Sequence, residues 1–279
     1  MRSGFITLVG RPNVGKSTLV NAMCGQKVSI VSDKPQTTRT RVMGIRTLDD
    51  AQLVFVDTPG LHKPVTALGE RVNATALDSV NDVDIVCLVI DATKPFGKGD
   101  QWVAGHLDLP HSLVILNKID AVNSNDIISQ LTKASALGAA DYFPVSARSG
   151  KGIPQLVDHL ASLLPEGPMY FPAETISDQP EELWVAELVR EQLLAVTRDE
   201  LPYSIATRVT EWEWPRVRVE IIVERDSQKG MVIGKGGAVL KEVGQRARAQ
   251  LPEGVFLELF VKVDKDWQRR PDRVERLGY

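Results

Sequence analysis

Short runs of apolar residues recur along the first part of the chain, each bounded by polar or glycine-containing segments. The stretches between them are long enough for helices, which is typical of a doubly wound α/β sheet with helices on both faces. A turn at Asp49 and Asp50 would pair the predicted strand at 41–47 with the next one, at 52–56, in antiparallel orientation. The sheet is therefore predicted to be mostly parallel with one antiparallel edge. The predicted strands cover residues 5–9, 41–47, 52–56, 85–90, 112–116 and 142–145.

A segment rich in proline and glycine at 164–172 interrupts this pattern. Such a segment ends any helix, and the pattern of apolar positions differs on its two sides. We therefore expect two domains. The predicted bounds are 1–165 for an α/β domain, 166–179 for a linker, and 180–279 for a smaller α+β domain with a C-terminal tail.

The second predicted domain opens with a helix, because apolar residues recur there at spacings of three and four. Two strands of alternating polarity follow, then two helices separated by glycines, and finally one more strand. The order is helix-strand-strand-helix-helix-strand. The predicted elements cover residues 181–198, 204–213, 216–224, 229–233, 238–250 and 255–264.

Composition and charge limit the classes of protein that remain open. With 43% hydrophobic and 25% charged residues among 279, the chain fits a folded protein, not a disordered or fibrous one. The net charge is −3, yet segment 226–279 carries eleven Lys and Arg against eight Asp and Glu. Cys24 and Cys87 have no metal-ligand spacing and are expected to be buried thiols. Because no signal sequence or membrane-spanning run is evident, we expect a cytoplasmic protein.

The first candidate site is a glycine loop, Gly-Arg-Pro-Asn-Val-Gly-Lys-Ser at 10–17, between a predicted strand and a predicted helix. This spacing is typical of a phosphate-binding loop, in which glycines let backbone N–H groups turn towards the phosphates. Lys16 supplies positive charge, and the Ser17 hydroxyl can ligate Mg²⁺. The predicted phosphate-binding residues are Gly10, Asn13, Val14, Gly15, Lys16, Ser17, Thr18 and Gly60.

Three further motifs follow predicted strands. Asp57-Thr58-Pro59-Gly60 begins where a strand ends, which suits Asp57 to hold Mg²⁺ through water and Gly60 to sense a terminal phosphate. In the next motif, at 117–120, an ionised Asp120 accepts from the two donors on the guanine edge, and adenine has no such pair. The predicted guanine-binding residues are Asn117, Lys118, Asp120, Ser146 and Ala147.

In this order and spacing, the four motifs resemble those of the GTPase superfamily over residues 1 to 165. The resemblance implies that the polar loop at 34–41 is the first switch, in which a threonine completes the Mg²⁺ shell. We prefer Thr38 to Thr37 and Thr40, and the alternative is a loop whose threonines bond only locally. The predicted metal ligands are Ser17, Thr38 and Asp57. The predicted switch residues are Gln36, Thr37, Thr38, Asp57, Thr58, Pro59, Gly60 and Leu61.

The group that would orient the attacking water is less evident. Ras-like GTPases carry a glutamine directly after the Asp-x-x-Gly motif, whereas this chain has Leu61, so slow intrinsic hydrolysis is expected. Asn13 resembles in position an asparagine that binds K⁺ in some related GTPases, which makes K⁺ a candidate cofactor beside Mg²⁺. His62 is a candidate general base, although an exposed loop histidine is more often incidental.

The second candidate site is another glycine loop, at 234–237 between two predicted helices. A Gly-x-x-Gly loop lets a nucleic-acid backbone approach closely, and the helix that follows favours phosphate. With the order of elements around it, this segment resembles a type II KH domain, although a plain glycine turn is the alternative. The predicted RNA-binding residues are Gly234, Lys235, Gly236, Gly237, Lys229, Lys241 and Arg246.

Aromatic residues near this loop are scarce. We expect Trp212, Trp214 and Phe256 to pack in strands or in the core and not to stack on bases. The basic tail after residue 264 would either extend a phosphate-binding surface or end in solvent.

Taken together, the two domains and the Gln-Thr-Thr-Arg sequence at 36–39 resemble the Era family of bacterial ribosome-assembly GTPases. The resemblance implies a GTP switch that binds small-subunit ribosomal RNA near its 3′ end and assists 30S assembly. It also implies a monomer, and some family members associate peripherally with the inner membrane. The main alternative is a constitutive RNA-binding module whose GTPase domain docks protein partners. A tRNA-modification GTPase is a weaker alternative, because such enzymes carry additional catalytic domains.

Overall fold

Two compact units make up the chain, and each is described by itself. The computed structural model describes residues 1–34, 36–61, 66–197 and 201–279. Of these, the first unit contains residues 1–29, 38–61 and 72–178. The second unit contains residues 30–34, 36–37, 66–71, 179–197 and 201–279.

A six-stranded sheet forms the centre of the first unit. Its strands are β1 (Arg2–Val9), β2 (Val42–Thr47), β3 (Ala51–Asp57), β4 (Ile85–Asp91), β5 (Ser112–Asn117) and β6 (Asp141–Pro144). The strand order is β2-β3-β1-β4-β5-β6, in which β2 is antiparallel to β3 and the other neighbours are parallel. The predicted strands and the antiparallel edge are therefore confirmed, with shifts of one to three residues at their ends.

Helices cover both faces of this sheet. They are α1 (Lys16–Cys24), α2 (Ala67–Asn81), α3 (Lys98–Ala104), α4 (Ser124–Ser135) and α5 (Ile153–Leu163). Successive residues of β4 alternate between two apolar clusters, Cys87 and Val89 on one side and Leu88 and Ile90 on the other. Both faces of a parallel sheet must be buried in this way, which explains why its strands read as continuous apolar runs. No helix in the described part of the chain is long and apolar enough to cross a bilayer.

The segment after α5, where the sequence suggests a linker, is fixed to the first unit by hydrogen bonds. The buried Gln52 side chain accepts from the backbone N–H groups of Tyr170 and Phe171 at 2.8 and 3.0 Å. Its amide group donates to the Phe171 carbonyl at 2.8 Å. The segment also bonds to the edge strand β2, where the Ile45 N–H donates to the Ile176 carbonyl at 2.9 Å, and it belongs to the first unit as far as Asp178.

A three-stranded sheet with helices forms the core of the second unit. Its elements are α6 (Glu181–Val196), β7 (Ala206–Glu213), β8 (Arg216–Val223), α7 (Asp226–Ile233), α8 (Ala238–Arg248), β9 (Phe256–Val263) and α9 (Pro271–Arg276). In this sheet β8 is the central strand, antiparallel to β7 and parallel to β9. The predicted order of elements is confirmed. Helix α7 begins three residues early because the Gln228 side chain accepts from the Glu224 and Arg225 N–H groups.

The two faces of this second sheet differ in burial. One face of β8 packs beneath the helices through the buried side chains of Val217, Val219, Ile221 and Val223. On β9, by contrast, Phe256 and Phe260 are 54% and 57% exposed. Trp214 is also 54% exposed, and Trp212 is only partly buried. Phe256 lies in a strand as expected, but neither Phe256 nor Trp214 packs in the core, so that part of the expectation is wrong.

The C-terminal tail is part of the second unit and does not end free in solvent. Trp267 is fully buried, and its indole N–H donates to the Ser204 carbonyl at 3.0 Å. Its ring stacks on that of Tyr279 with the centroids 6.0 Å apart. The tail thus contributes an aromatic anchor to the core.

Trp267→Ala is expected to destabilise the second unit strongly, because it removes a fully buried side chain and its hydrogen bond. We expect a loss of about 3–5 kcal/mol in the free energy of unfolding. Trp102→Ala is the matched control, since Trp102 is 45% exposed and should cost about 0.5 kcal/mol. Urea unfolding followed by circular dichroism measures both, and equal costs would contradict the packing described.

Candidate functional site

The first glycine loop closes over the end of β1 and leads into α1. The buried Lys16 ammonium spans the loop, donating to the carbonyls of Gly10 and Arg11 at 3.1 and 3.3 Å. Gly15 has φ +96°, and a Cβ there would lie 2.4 Å from the Asn117 side-chain nitrogen. Only glycine meets both requirements. Ser17 and Thr18 follow in the first turn of α1, and both are partly buried.

Two buried ionisable groups of opposite charge face this loop. Burial lowers the pKa of Lys16 to about 8, with the Asp57 carboxylate acting in the opposite direction. Burial likewise raises the pKa of Asp57, and Lys16 opposes that change. Burial disfavours both charged forms, so bound phosphate would stabilise the ammonium and a bound cation would stabilise the carboxylate.

Three oxygen-bearing side chains from separate segments meet beside Lys16. The Ser17 and Thr38 hydroxyl oxygens are 2.9 Å apart, and the Thr38 hydroxyl donates to Asp57 Oδ2 at 3.0 Å. The other Asp57 oxygen, Oδ1, is buried and has no hydrogen-bond partner among the described residues. Hydroxyl and carboxylate oxygens with an unsatisfied acceptor fit Mg²⁺. The Thr37 hydroxyl instead donates to the Lys34 carbonyl, so of the three threonines that the sequence leaves open, Thr38 is the one bonded to Asp57.

The segment after β5 is joined to the first glycine loop by side-chain hydrogen bonds. The buried Asn117 side chain donates to the Val14 carbonyl and accepts from the Ala147 N–H, each at 3.0 Å. The Lys118 ammonium donates to the Asn13 carbonyl at 2.6 Å. These bonds connect the predicted guanine-binding and phosphate-binding segments.

Asp120 lies on the solvent-exposed side of these connected segments. One of its carboxylate oxygens accepts from the buried Ser146 hydroxyl at 2.6 Å, while the side chain stays exposed. A carboxylate oriented by one hydrogen bond and open to solvent can accept from the two donors of a guanine base.

Asp91 is a charged residue at this site that the sequence reading missed. Its carboxylate accepts from the Lys118 ammonium at 2.6 Å. Burial alone would raise the pKa of Asp91, but the hydrogen bonds from Lys118 and Thr93 outweigh it and hold the pKa below its ordinary value. Its position at the carboxyl end of β4, matching Asp57 on β3, was the available signal.

The turn after β3 is packed closely against the first glycine loop. The Thr58 hydroxyl donates to the Leu8 carbonyl at 2.6 Å, and a Cβ at Gly60 would lie 2.8 Å from Pro12 backbone atoms. Leu61 is 1% exposed and belongs to the apolar cluster under α2 and α3, so it is turned away from the phosphate side. Pro59 is buried in the same turn.

Two further candidates from the sequence are Gln36, a predicted switch residue, and His62. Gln36 adopts a left-handed backbone conformation, with φ 61°, in the loop before Thr37. His62, the candidate general base, lies outside the described residues.

The second glycine loop connects α7 to α8. Gly234, Gly236 and Gly237 have φ values of 74°, 62° and 79°, and space is open around the last two. A Cβ at Gly234 would lie 2.5 Å from a Val239 side-chain carbon. The loop therefore depends on glycine for its backbone conformation and leaves the start of α8 accessible to phosphate.

The four cationic residues predicted around this loop differ in their exposure and in their contacts. Lys235 and Lys241 are exposed, and the Lys229 ammonium lies 6.0 Å from the centre of the Phe260 ring. Arg246 pairs with Glu242 on the same helix at 2.5 Å, which partly neutralises it. Lys229 and the exposed Phe260 together offer a charge and a ring face beside the loop.

The fold and these sites define a GTPase with an appended KH domain. A family model described as "50S ribosome-binding GTPase" matches residues 5–118, and a KH domain model matches residues 200–268. GTPase Era of Heliobacterium modesticaldum is 44% identical over 291 residues, covering 100% of this chain and 97% of that protein. GTPase Era of Mycobacterium tuberculosis is 47% identical over 296 residues, covering 99% and 98%.

Solved structures agree with these relatives. A tyrosine-to-alanine variant of Aquifex aeolicus Era bound to GDP·AlF4⁻ superimposes with a TM-score of 0.94 at 38% identity, over 100% of this chain and 99% of that one. An Era complex with MgGDPNP and nucleotides 1506–1542 of 16S ribosomal RNA gives 0.95 at 37% identity, with the same coverage. The chain therefore belongs to the Era family of GTPases.

Asp120→Asn is expected to change the base that the nucleotide site prefers. An amide cannot accept from both guanine donors, but it can donate to the extra oxygen of xanthine. We expect GTP affinity to fall about a hundredfold, or about 2.8 kcal/mol, with a gain for XTP. Displacement of a fluorescent nucleotide measures both. Asp126→Asn, at another exposed carboxylate in the first turn of α4, is the control, and equal losses in both variants would contradict the assignment.

Proposed function

We propose that this chain is a GTP-dependent switch that binds small-subunit ribosomal RNA near its 3′ end and assists assembly of the 30S subunit. The family membership and the Era complex with 16S ribosomal RNA nucleotides support this proposal. The KH match and the accessible glycine loop support RNA binding by the second unit.

The nucleotide is proposed to bind along the edge of the first sheet. Lys16 and the N–H groups of the first glycine loop would hold the phosphates, and Asp120 would read guanine. Ser17, Thr38 and Asp57 would hold Mg²⁺, Asp57 through water, and the ion would neutralise charge on the phosphates. Because Leu61 is buried in the core, its side chain is not available to orient water, and we expect slow hydrolysis.

One observation carries the proposed switch: the segment that ends beside the metal site belongs to the second unit. Residues 30–34 and 36–37 are grouped with α6 and the glycine loop, whereas the next residue, Thr38, bonds to Asp57. A nucleotide that repositions Thr38 therefore acts on a backbone anchored in the KH unit.

Buried hydrogen bonds anchor this segment to α6. The Arg190 guanidinium, which is fully buried, donates to the Thr37 carbonyl and forms an ion pair with Glu187 at 2.5 Å. The next residue on α6, Glu191, accepts from the Val31 N–H at 2.9 Å. Breaking a buried charged contact is costly, so movement of the segment is expected to move or strain α6.

Other parts of the assignment rest on resemblance to the family. We propose a monomer in the cytoplasm with peripheral association to the inner membrane. Light scattering of the purified chain and its sedimentation with vesicles would test these two statements separately.

RNA affinity is expected to depend on the bound nucleotide. We expect a 16S 3′-end oligonucleotide to bind about 5- to 150-fold tighter with GDPNP than with GDP, the usual range of such coupling. Gly236→Asp should abolish binding in both states, because it places a carboxylate where the RNA phosphate approaches. Gly138→Asp is the matched control, a left-handed glycine with open space elsewhere. Fluorescence anisotropy at fixed salt measures RNA affinity for all three chains, each with GDP and with GDPNP.

The double variant Glu187→Met/Arg190→Met separates coupling from RNA binding. It removes both charges of the buried pair together and keeps their apolar volume. We expect RNA to bind with nearly one affinity whichever nucleotide is present. Equal affinities in the unaltered chain would instead support the alternative of constitutive RNA binding.

Potassium is proposed as a second cation, held near Asn13. The Asn13 backbone is left-handed, with φ 64°, and its carbonyl accepts from Lys118. We expect faster GTP turnover in K⁺ than in Na⁺ at equal ionic strength, and the difference should disappear in Asn13→Ser. Phosphate release measures the rate, and equal rates in both salts would exclude the proposal.

A further inference from the structure

A pocket lined by three tryptophans lies in the second unit, outside the sites already described. It encloses about 420 Å³ between the start of α6, the β7–β8 turn and the loop after α8. Its lining residues are Glu181, Trp184, Val185, Trp212, Trp214, Gln250, Leu251 and Pro252.

Three indole rings line the pocket. Trp212 and Trp214 have ring centroids 6.0 Å apart with their planes tilted by 36°, and Trp184 contributes a third ring from α6. Trp214 is 54% exposed although its bulk is apolar. Grouped aromatic faces with a negative quadrupole attract organic cations, above all guanidinium and ammonium groups.

The charges around the pocket favour a cation over an RNA strand. Glu181 is the ionisable residue in the lining, and none of the eight lining residues is Lys or Arg. Exposed carboxylates adjoin lining residues in sequence: Glu182 follows Glu181, Glu213 separates Trp212 from Trp214, and Glu253 follows Pro252. The nearest cationic residues, Arg216 and Arg248, lie two positions from the lining, and Arg216 is paired with Glu258 at 2.8 Å. Binding to a nucleic-acid backbone needs cationic groups, whereas carboxylates repel phosphates.

The pocket is also separate from the KH glycine loop. Its members at the end of α8 are separated from Gly237 by the whole helix Ala238–Arg248, which spans roughly 16 Å at the usual helical rise. A ligand in the pocket would therefore leave the glycine loop accessible.

We propose that the tryptophan pocket receives an arginine side chain presented by a basic protein partner. The three rings stack on the guanidinium plane, and the Glu181 carboxylate supplies the opposite charge. The second unit would then bind RNA at the glycine loop and a basic protein at the pocket.

The test uses the full-length chain carrying Trp102→Phe, so that three of the four remaining tryptophans line the pocket. The probe is the peptide Ac-Arg-Gly-Arg-Gly-Arg-NH₂, titrated while tryptophan fluorescence is recorded. A peptide with citrulline in place of arginine has the same shape without the charge. We expect quenching by the arginine peptide and at least a tenfold weaker effect of the citrulline peptide.

Variants locate the binding. Trp214→Ala should weaken binding of the arginine peptide at least tenfold, Trp214→Phe should restore most of it, and Glu181→Gln should weaken it several-fold. Glu174→Gln, at an exposed carboxylate outside the lining, is the charge-matched control and should have no effect. Circular dichroism verifies that each variant is folded.

Three results would overturn the proposal. Equal binding of the citrulline peptide would remove the role of charge. Arginine-peptide affinity that Trp214→Ala and Glu181→Gln leave unchanged would place binding elsewhere. If Trp214→Ala instead weakened binding of a pyrimidine RNA pentamer and spared the peptide, the pocket would be a base-stacking site.

Discussion

The carboxyl ends of parallel strands meet at one edge of a sheet, and the nucleotide site depends on this constraint. It brings the glycine loop after β1 together with Asp57 at the end of β3, Asp91 at the end of β4 and Asn117 at the end of β5. Their hydrogen bonds join segments more than a hundred residues apart, as the Asn117–Val14 contact does. A packed sheet therefore fixes groups that the nucleotide would otherwise have to order itself.

The proposed coupling of nucleotide binding to RNA binding rests on one short stretch of backbone. The Thr38 hydroxyl donates to Asp57 at the candidate metal site, and the carbonyl of the preceding residue accepts from the buried Arg190 of α6. A charged side chain buried this deeply tolerates few alternative positions, because each position must satisfy its hydrogen bonds. This makes the stretch suited to two discrete states, and nucleotide binding would select between them.

Much of the fold and the grouping of the candidate nucleotide-site residues could be predicted because each motif combines chemistry with a local pattern. Short apolar runs identified β1 to β6, alternating polarity indicated β7 and β8, and the loop of Gly15 and Lys16 stood between a strand and a helix. Long-range contacts left no such signal: the Arg190 contact joins residues 153 positions apart, and Gln52 fixes a segment that reads as a linker. The sequence also did not reveal exposure, since Trp214 in the β7–β8 turn and Phe256 in β9 are large and apolar and yet face solvent.

Hydrogen–deuterium exchange of the GDP-bound and GDPNP-bound chain, each with Mg²⁺, tests the central claim most directly. We predict that GDPNP changes the exchange of amides in 30–38 and, together with them, in α6. We also predict that the change in α6 is lost when Glu187 and Arg190 are both replaced by methionine. A change confined to 30–38 and the nucleotide site, with α6 unaltered, would contradict the claim that the nucleotide acts on the RNA-binding unit through this segment.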